Sequence, residues 1–245
     1  MADIERVNAQ PCGICTGPLD CPLHSCENRL TMNRVMESAD KVESVHKPAS
    51  DIYFSADVET DGPIPGPFSM LSFALVYAGR FDGSVFQRPL AHKAETFYRE
   101  LKPISDDYQQ EALNVNGLDR NRLKIHGQSP DAAMNEASEW IKSLARGERP
   151  VLVAYPLSFD WSWLYWYFVR FAKEGSPFSY SQCFDLKTAF AIKARRPIAQ
   201  SGRSELFPPL RSIKVHSHNA LDDATEQADI FANLFEWGGL NGSCS

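Results

Sequence analysis

The sequence predicts an α/β protein in which helices flank a mixed β-sheet, and three observations support this fold class. Strand-like segments follow one another in the first half of the main domain. In the second half, short apolar segments alternate with helix-like segments. Of the 245 residues, 43% are hydrophobic, which is enough for a full core.

The predicted strands are recognised by alternation or by short apolar runs. Leu71, Phe73 and Leu75 alternate with smaller residues, as expected for a strand. The Gly- and Pro-rich segment at residues 61–67 cannot be regular structure. The last predicted strand is wholly apolar, which indicates a position inside the sheet. Strands are predicted over residues 52–58, 68–77, 81–90, 96–101 and 151–155.

The predicted helices are recognised by apolar residues at helical spacing. They cover residues 130–144, 160–172 and 223–237. The second of them is strongly aromatic, and we assign most of its rings to the core. Some of these rings could instead stack on bases, and an aromatic surface helix could support a homodimer. The aromatic groups are Tyr155, Trp161, Trp163, Tyr165, Trp166 and Tyr167.

The N-terminal arm, residues 1–50, is cysteine-rich and ends near Pro48. Four of the six cysteines crowd into it, which in a cytosolic chain suggests metal rather than disulfides. Four thiolates, or three with a histidine, could hold a tetrahedral zinc ion. The alternative is a reduced, partly disordered tail. The zinc candidates are Cys12, Cys15, Cys21, Cys26 and His24. The main domain is expected over residues 51–238, with a tail at residues 239–245.

Charge and hydropathy indicate which partners and which cellular location to expect for the chain. The net charge of −6 argues against broad, tight binding to duplex backbone. No apolar stretch is long enough for a membrane span, and the N-terminus lacks a signal core, so we expect a cytoplasmic protein. Within residues 187–214 Glu205 is the one acid, and this stretch could face a phosphate chain or be a solvated loop. Its cations are Lys187, Lys193, Arg195, Arg196, Arg203, Arg211 and Lys214.

Four carboxylates and one histidine form the candidate site. Asp57 and Glu59 share one face of a predicted buried strand, where they repel each other unless a cation lies between them. Asp160 follows an apolar strand and begins the aromatic helix, where taken alone it would be read as a helix cap. His218 precedes Asp223 by five residues at the start of the last helix, where it could also be a surface histidine.

Together these five residues fit one reaction. Two divalent ions can clamp a phosphodiester, one activating a water and the other stabilising the leaving oxygen. Hard oxygen ligands suit two Mg²⁺ or Mn²⁺ ions and disfavour zinc. His218 would take the proton of the water at near-neutral pH. The product would be a 5′-nucleotide released from a 3′ end.

Over residues 51–237 the sequence resembles the DEDDh branch of the DnaQ-like 3′-5′ exonucleases, which have a ribonuclease-H-like fold. Three motifs carry the resemblance, and the segments around residues 97–103, 111–118 and 184–186 also resemble the family. One departure is Tyr155-Pro156, where many members carry His-Asn, which puts a substrate-backbone contact in doubt. The motifs are Asp57-Val58-Glu59-Thr60, Ser158-Phe159-Asp160 and His218-Asn219-Ala220-Leu221-Asp222-Asp223.

The resemblance implies a role for each site residue. Asp57 would bridge both metals, with Glu59 and Asp223 on the catalytic ion. Asp160 would support the second ion through water, and His218 would be the general base. Thr60 and Phe159 would be neighbours of the terminal nucleotide.

We therefore expect a metal-dependent exonuclease acting on single-stranded DNA or RNA or on short oligonucleotides. The alternatives are a phosphodiesterase specialised for small or cyclic oligonucleotides and a catalytically silent module that binds nucleic acid or protein.

Overall fold

A six-stranded mixed sheet forms the centre of the fold. The structure is a computed structural model that describes residues 50–90, 95–214 and 216–240. The sheet order is β3-β2-β1-β5-β6, and β4 also pairs with β2. The strands are β1 (Asp51–Thr60), β2 (Met70–Phe81), β3 (Phe86–Gln87), β4 (Thr96–Glu100), β5 (Arg149–Ala154) and β6 (Cys183–Asp185).

The sheet is antiparallel on one side of β1 and parallel on the other. Strand β1 pairs antiparallel with β2, which in turn pairs antiparallel with β3 and β4. On its other edge β1 pairs parallel with β5, and β5 pairs parallel with β6. Parallel neighbours require helical crossovers, so helices cover this half of the sheet. The mixed sheet predicted from the sequence is confirmed.

Six α-helices lie in the described part of the chain. Three of them, α3, α4 and α6, correspond to the helices that the apolar spacing predicts. The other three are short and were not predicted. The bounds are α1 (Gln110–Asn116), α2 (Arg120–His126), α3 (Pro130–Ala145), α4 (Leu157–Phe171), α5 (Leu186–Lys193) and α6 (Ala220–Glu236).

Two apolar layers cover the two faces of the sheet. On one face Phe54 and Val58 of β1 pack with α3 and α4. Helix α4 contributes the fully buried Trp163 and Tyr167 to this layer. On the other face Tyr53 packs with α5 and α6. The side chains of β1 alternate between these layers, as the period of a strand requires. Most of the aromatic helix α4 is therefore core, as the sequence predicts, while Trp161 and Tyr165 stack on each other with centroids 4.9 Å apart.

Some sequence predictions need correction. The strand expected at residues 81–90 is reduced to the two residues of β3, because β4 occupies the edge of β2 next to it. Among the described residues, no helix is long and apolar enough to cross a membrane. The cysteine-rich arm with its candidate zinc ligands, and residues 241–245 of the tail, lie outside the described residues. The domain boundaries and the homodimer stay predictions.

Candidate active site

Strand β1 places Asp57 and Glu59 by extending beyond its parallel neighbour. The pairing with β5 ends at Ser55, whereas the pairing with β2 continues to Thr60. The last residues of β1 therefore leave one backbone edge open for other elements. Asp57 and Glu59 lie on the same face of this overhang and are each 9% exposed.

Helix α4 brings Asp160 to the open edge of β1. Asp160 Oδ1 accepts a hydrogen bond of 3.2 Å from the backbone N–H of Val58, a donor that β5 leaves unpaired. The helix begins at Leu157 with Pro156 as N-cap residue, so the prediction that Asp160 begins or caps this helix is wrong. Asp160 lies in the first turn and is buried. Its carboxylate thus joins the overhang to the helix.

Helix α6 runs antiparallel to β1 and contacts it through residues that are spaced four apart. Phe231 packs on Tyr53 with ring centroids 4.7 Å apart. One turn earlier, Gln227 Nε2 donates to Asp57 Oδ1 at 2.9 Å. A further turn earlier is Asp223, which is fully buried beside the acidic pair. Since residues four apart share a helix face, the apolar contact at one end aligns the polar contacts at the other.

The loop before α6 is fixed by Asp223 itself. Its two carboxylate oxygens accept hydrogen bonds from the backbone N–H groups of Ser217 and His218, at 2.8 and 3.0 Å. The Asn219 side chain caps the helix by accepting from the backbone N–H groups of Leu221 and Asp222. His218 has a φ of 56°, in the left-handed region that few residues adopt. The turn therefore places the His218 ring beside the carboxylate that anchors it.

His216 and Arg203 complete the histidine side of the site, and the sequence motifs did not identify them. His216 Nδ1 lies 2.8 Å from Asp223 Oδ2 and also contacts Nη1 of Arg203. One ring nitrogen cannot donate to a carboxylate and accept from a guanidinium at once, so the hydrogen bonds have two alternative arrangements. The rings of His216 and His218 meet edge to face with centroids 4.5 Å apart.

Burial and mutual repulsion dominate the electrostatics of the carboxylates. Burial, together with Asp160, Glu59 and Asp223, raises the pKa of Asp57 well above its ordinary value. Burial and the neighbouring Asp223 and Asp160 raise the pKa of Glu59 to about 8. Burial likewise raises the pKa of Asp160 to about 7, against two backbone hydrogen bonds that lower it. Full ionisation of the cluster is therefore unfavourable unless cations offset the charge.

One cationic side chain partly offsets this charge. The guanidinium of Arg203 lowers the pKa of Asp57 and Asp160. Burial and the same guanidinium hold the pKa of His216 below its usual range, although Asp223 acts in the opposite direction. A neutral His216 beside a buried carboxylate leaves the negative charge of the cluster in place.

The arrangement can accept divalent cations. Carboxylate oxygens of Asp57, Glu59 and Asp223 all lie within 4.8 Å of one another, and ring nitrogens of His216 and His218 lie equally close to Asp223. Oxygen donors of this kind are the ligands that Mg²⁺ and Mn²⁺ prefer. The donor set and its uncompensated charge therefore fit divalent metal ions.

The five predicted site residues converge on one cleft of about 900 Å³. Thr60 and Phe159 line the same cleft, with Phe159 40% exposed. The cleft also contains residues that the sequence reading missed. Among them, Arg203 gave no signal beyond belonging to a basic stretch. Gln227 is fully buried and does not line the cleft, but its spacing of four after Asp223 could have identified it as a neighbour of the site. Further lining residues are Gln109, Glu111, Ala112, Val115, Asn116, Tyr155, Lys187 and Ser204.

The basic stretch is divided between structural contacts and the cleft. Lys193 Nζ donates to the carbonyl of Leu234 at the end of α6, and Arg211 Nε donates to the carbonyl of Leu206. Only Lys187 and Arg203, among the described cations of this stretch, line the cleft. Neither a solvated loop nor a continuous phosphate-binding surface describes the whole stretch.

Comparison with solved structures identifies the class of the fold. The nuclease domain of 3′hExo, a DEDDh family member bound to rAMP, matches with a TM-score of 0.57 and 12% identity, covering 78% of this chain and 94% of that one. Exonuclease I of E. coli in complex with a dT13 oligonucleotide matches with a TM-score of 0.51 and 17% identity. That match covers 77% of this chain but only 41% of Exonuclease I. The fold is that of the DnaQ-like, ribonuclease-H-like exonucleases.

Sequence comparison then gives the family. The model of the 3′-5′ exoribonuclease Rv2179c-like domain matches residues 83–235, and the chain belongs to this family. The chain is also 34% identical over 182 residues to the 3′-5′ DNA exonuclease Cap18 of Escherichia coli, a match that covers 74% of this chain and 90% of Cap18. It is accordingly a 3′-5′ exonuclease, a phosphodiester hydrolase. Asp57 and Glu59 lie outside the family match, whereas Asp160, His218 and Asp223 lie within it.

Proposed function

We propose that the protein removes nucleotides from the 3′ end of single-stranded nucleic acid or short oligonucleotides in a reaction that depends on two divalent metal ions. The observation that carries the proposal is the convergence of Asp57, Glu59 and Asp223, with ligand oxygens within 4.8 Å of one another, in an open cleft. Buried carboxylates at this spacing destabilise the fold unless cations or protons accompany them.

Four carboxylates would hold the ions. Asp57 would bridge them, Glu59 and Asp223 would bind the first, and Asp160 would support the second. When bound, Mg²⁺ or Mn²⁺ would lower the pKa of a water and stabilise charge on the phosphate and the leaving oxygen. Gln227 orients the Asp57 carboxylate, and Val58 orients that of Asp160, so both present fixed oxygens to the cleft.

His218 would act as the general base. Its backbone N–H is held by Asp223, which keeps its ring next to the carboxylate cluster, while the ring itself is exposed to the cleft. A neutral imidazole there can accept the proton of the attacking water and release it to solvent. His216 packs against the His218 ring and would limit its orientation.

The size and openness of the cleft support a flexible single strand or a short oligonucleotide as substrate. Its volume of about 900 Å³ is in the range of sites that enclose a small ligand. The names of the related proteins refer to different nucleic acids: the family is described as exoribonucleases, which act on RNA, and Cap18 as a DNA exonuclease. The proposal therefore includes both sugars, and a matched substrate panel decides between them.

The test is nucleotide release from 5′-labelled DNA and RNA oligomers of one sequence, with free or blocked 3′ ends. We expect ladders from free 3′ ends only, in Mg²⁺ or Mn²⁺ and not in EDTA. Asp57→Asn should reduce the rate to background, and His218→Ala should reduce kcat by about 10²- to 10⁴-fold, as loss of a general base does. Asp131→Asn, an exposed acid outside the cleft, is the matched control and should retain wild-type activity.

Activity that survives both Asp57→Asn and His218→Ala would contradict the proposed site. A wild-type protein that binds oligomers without degrading them would favour the silent module. The filled carboxylate and histidine positions argue against that alternative. Preferential hydrolysis of dinucleotides or cyclic dinucleotides over longer oligomers would instead favour the specialised phosphodiesterase.

A further inference from the structure

The two sides of the cleft differ in charge. The β1 side is formed by the end of β1 and by α1, which is tied to it because Asn116 Nδ2 donates to the carbonyl of Thr60 at 3.0 Å. None of the described residues that line this side is a lysine or an arginine. The opposite end of the sheet contributes Lys187, at the start of α5 after β6, and Arg203. Cations therefore lie on the β5–β6 side of the cleft.

Arg203 is held in place with part of its hydrogen-bonding capacity unused. Nη2 donates to the carbonyl of Tyr155 at 3.2 Å, which places the guanidinium beside the end of β5. Nη1 lies 3.4 Å from Glu226 Oε2, yet that oxygen has no hydrogen-bond partner. Nε is also buried without a partner. Nη2 carries a second N–H besides the one that bonds Tyr155, and this donor remains for a ligand in the cleft.

Three neighbouring cations of the basic stretch do not line the cleft and contact other parts of the protein. Lys193 and Arg211 donate to backbone carbonyls, and Arg196 pairs with Glu205 at 3.6 Å. Arg203 and Lys187 are the two that line the cleft, and both come from elements that follow β6. A planar guanidinium binds two phosphate oxygens at once, and a lysine adds a point charge.

We propose that Arg203 and Lys187 bind the phosphate backbone of the substrate, so that the sugar–phosphate chain follows the β5–β6 side of the cleft. This assignment rests on the proposed function, because it concerns the same cleft. The opposite side offers apolar surface instead, with Val115 58% exposed. Arg203 is therefore a substrate-binding residue, in addition to its contact with His216.

Binding of full-length protein to a fluorescent single strand in Ca²⁺ tests this assignment without relying on turnover. Arg203→Met should weaken binding by about 10-fold or more, the range of a charge-assisted hydrogen bond. A plot of the logarithm of the association constant against the logarithm of the salt concentration should also become shallower. The expected change in slope is about 0.7, the value for one phosphate contact on a single strand. Lys187→Met should give the same change in slope. Arg170→Met and Lys173→Met are matched controls, since both residues are exposed and outside the cleft.

A scan of single methylphosphonate linkages, which remove one charge at a time, locates the contact. In the wild type, one linkage should weaken binding more than its neighbours, and Arg203→Met should lose that additional penalty. The proposal would be overturned if Arg203→Met had the salt slope of the wild type and lost the same affinity as the wild type at each methylphosphonate linkage. Arg203→Lys keeps the charge and should retain most of the slope, which separates loss of the contact from loss of folding.

Failure of the proposed function and failure of this assignment give different results. If Arg203→Met and Lys187→Met reduce the salt slope of binding as expected but the wild type releases no nucleotides, the phosphate contacts stand and the catalytic proposal fails. If nucleotides are released while Arg203→Met and Lys187→Met bind like the wild type, the catalytic proposal stands and the contacts are wrong.

Discussion

At the scale of single residues, Asp223 organises both the carboxylate cluster and the histidines. Its oxygens accept two backbone hydrogen bonds from the preceding loop, and the carboxylate lies beside Asp57 and Glu59. The same carboxylate contacts His216. Because one buried group makes all these contacts, a change at Asp223 would alter the loop and the ligand set together.

Gln227 allows a cleaner test of carboxylate positioning. Gln227→Leu removes the 2.9 Å hydrogen bond to Asp57 while it keeps a side chain of similar size in the helix. We expect Mn²⁺ affinity or kcat to fall by about 10- to 100-fold, as for loss of a group that orients a ligand. The free energy of unfolding should fall by about 1 kcal/mol, because removal of the buried, unpaired Gln227 Oε1 offsets part of the cost of leaving Asp57 Oδ1 without its donor. Calorimetric titration measures the Mn²⁺ affinity, and single-turnover kinetics measure the rate of the reaction.

Gln110→Leu provides the control, since this glutamine is exposed and bonds only Asn114 in the described part of the chain. Mn²⁺ affinity and kcat that both stay at the wild-type level in Gln227→Leu would show that Asp57 needs no such support.

At the scale of elements, an ion pair anchors the segment that supplies the β1 side of the cleft. Arg120 Nε donates to Asp61 Oδ2 at 2.8 Å, and Asp61 is fully buried. The guanidinium also bonds the carbonyl of Ser105, and the backbone N–H of Gln109 donates to the carbonyl of Asp61. Helix α1 has no buried residues, so these contacts, rather than an apolar face, hold it next to β1.

Arg120→Met should therefore be strongly destabilising. It leaves the Asp61 carboxylate buried without its cation, which typically costs about 3–5 kcal/mol. Denaturant unfolding measures the free energy of unfolding, and KM for oligomers should rise because the segment that contains α1 loses part of its anchoring. Lys124→Met, which breaks the exposed pair with Asp106, is the comparison and should leave the free energy of unfolding close to that of the wild type. Equal effects of the two substitutions would refute the anchoring role.

At the scale of the whole molecule, the carboxylate cluster links stability to pH and to metal. The folded-state pKa of Glu59 is about 8 and that of Asp160 about 7, against 4.5 and 3.8 for the unfolded chain. The folded protein therefore holds protons that the unfolded chain has lost. This contribution is complete below about pH 4 and disappears as the pH rises through 7 and 8.

The Tm of the metal-free protein should accordingly fall between pH 6.5 and pH 9, above the range in which His216, with its lowered pKa, titrates. Mn²⁺ should raise Tm more at pH 8.5 than at pH 6, because cations replace the protons on the cluster. Thermal unfolding in EDTA and in Mn²⁺ measures both effects. Glu59→Gln should flatten the pH dependence in EDTA. A metal-free Tm that rises over this range would contradict the interpretation.

The sequence predicted those parts of the fold that have a local signal. Strands β1, β2, β4 and β5 and helices α3, α4 and α6 follow from alternation, helical spacing or apolar runs. The short helices α1, α2 and α5 were not predicted from the sequence. Helix α1 buries no residue, α2 buries Arg120 and Leu123, and α5 is only eight residues long. Such helices are stabilised by tertiary contacts and leave little apolar periodicity.

The sequence by itself determined the class of this protein, a 3′-5′ exonuclease, because the motifs that indicate it are local: Asp57 with Glu59 on one strand, and His218 with Asp223 at one helix start. Only the tertiary structure decided which side chains support that chemistry. Gln227 meets Asp57 across 170 residues, and Arg203 reaches the end of β5 across 48. The physical reason is that a hydrogen bond depends on distance in space, which the packing of α6 on β1 sets and no local pattern records.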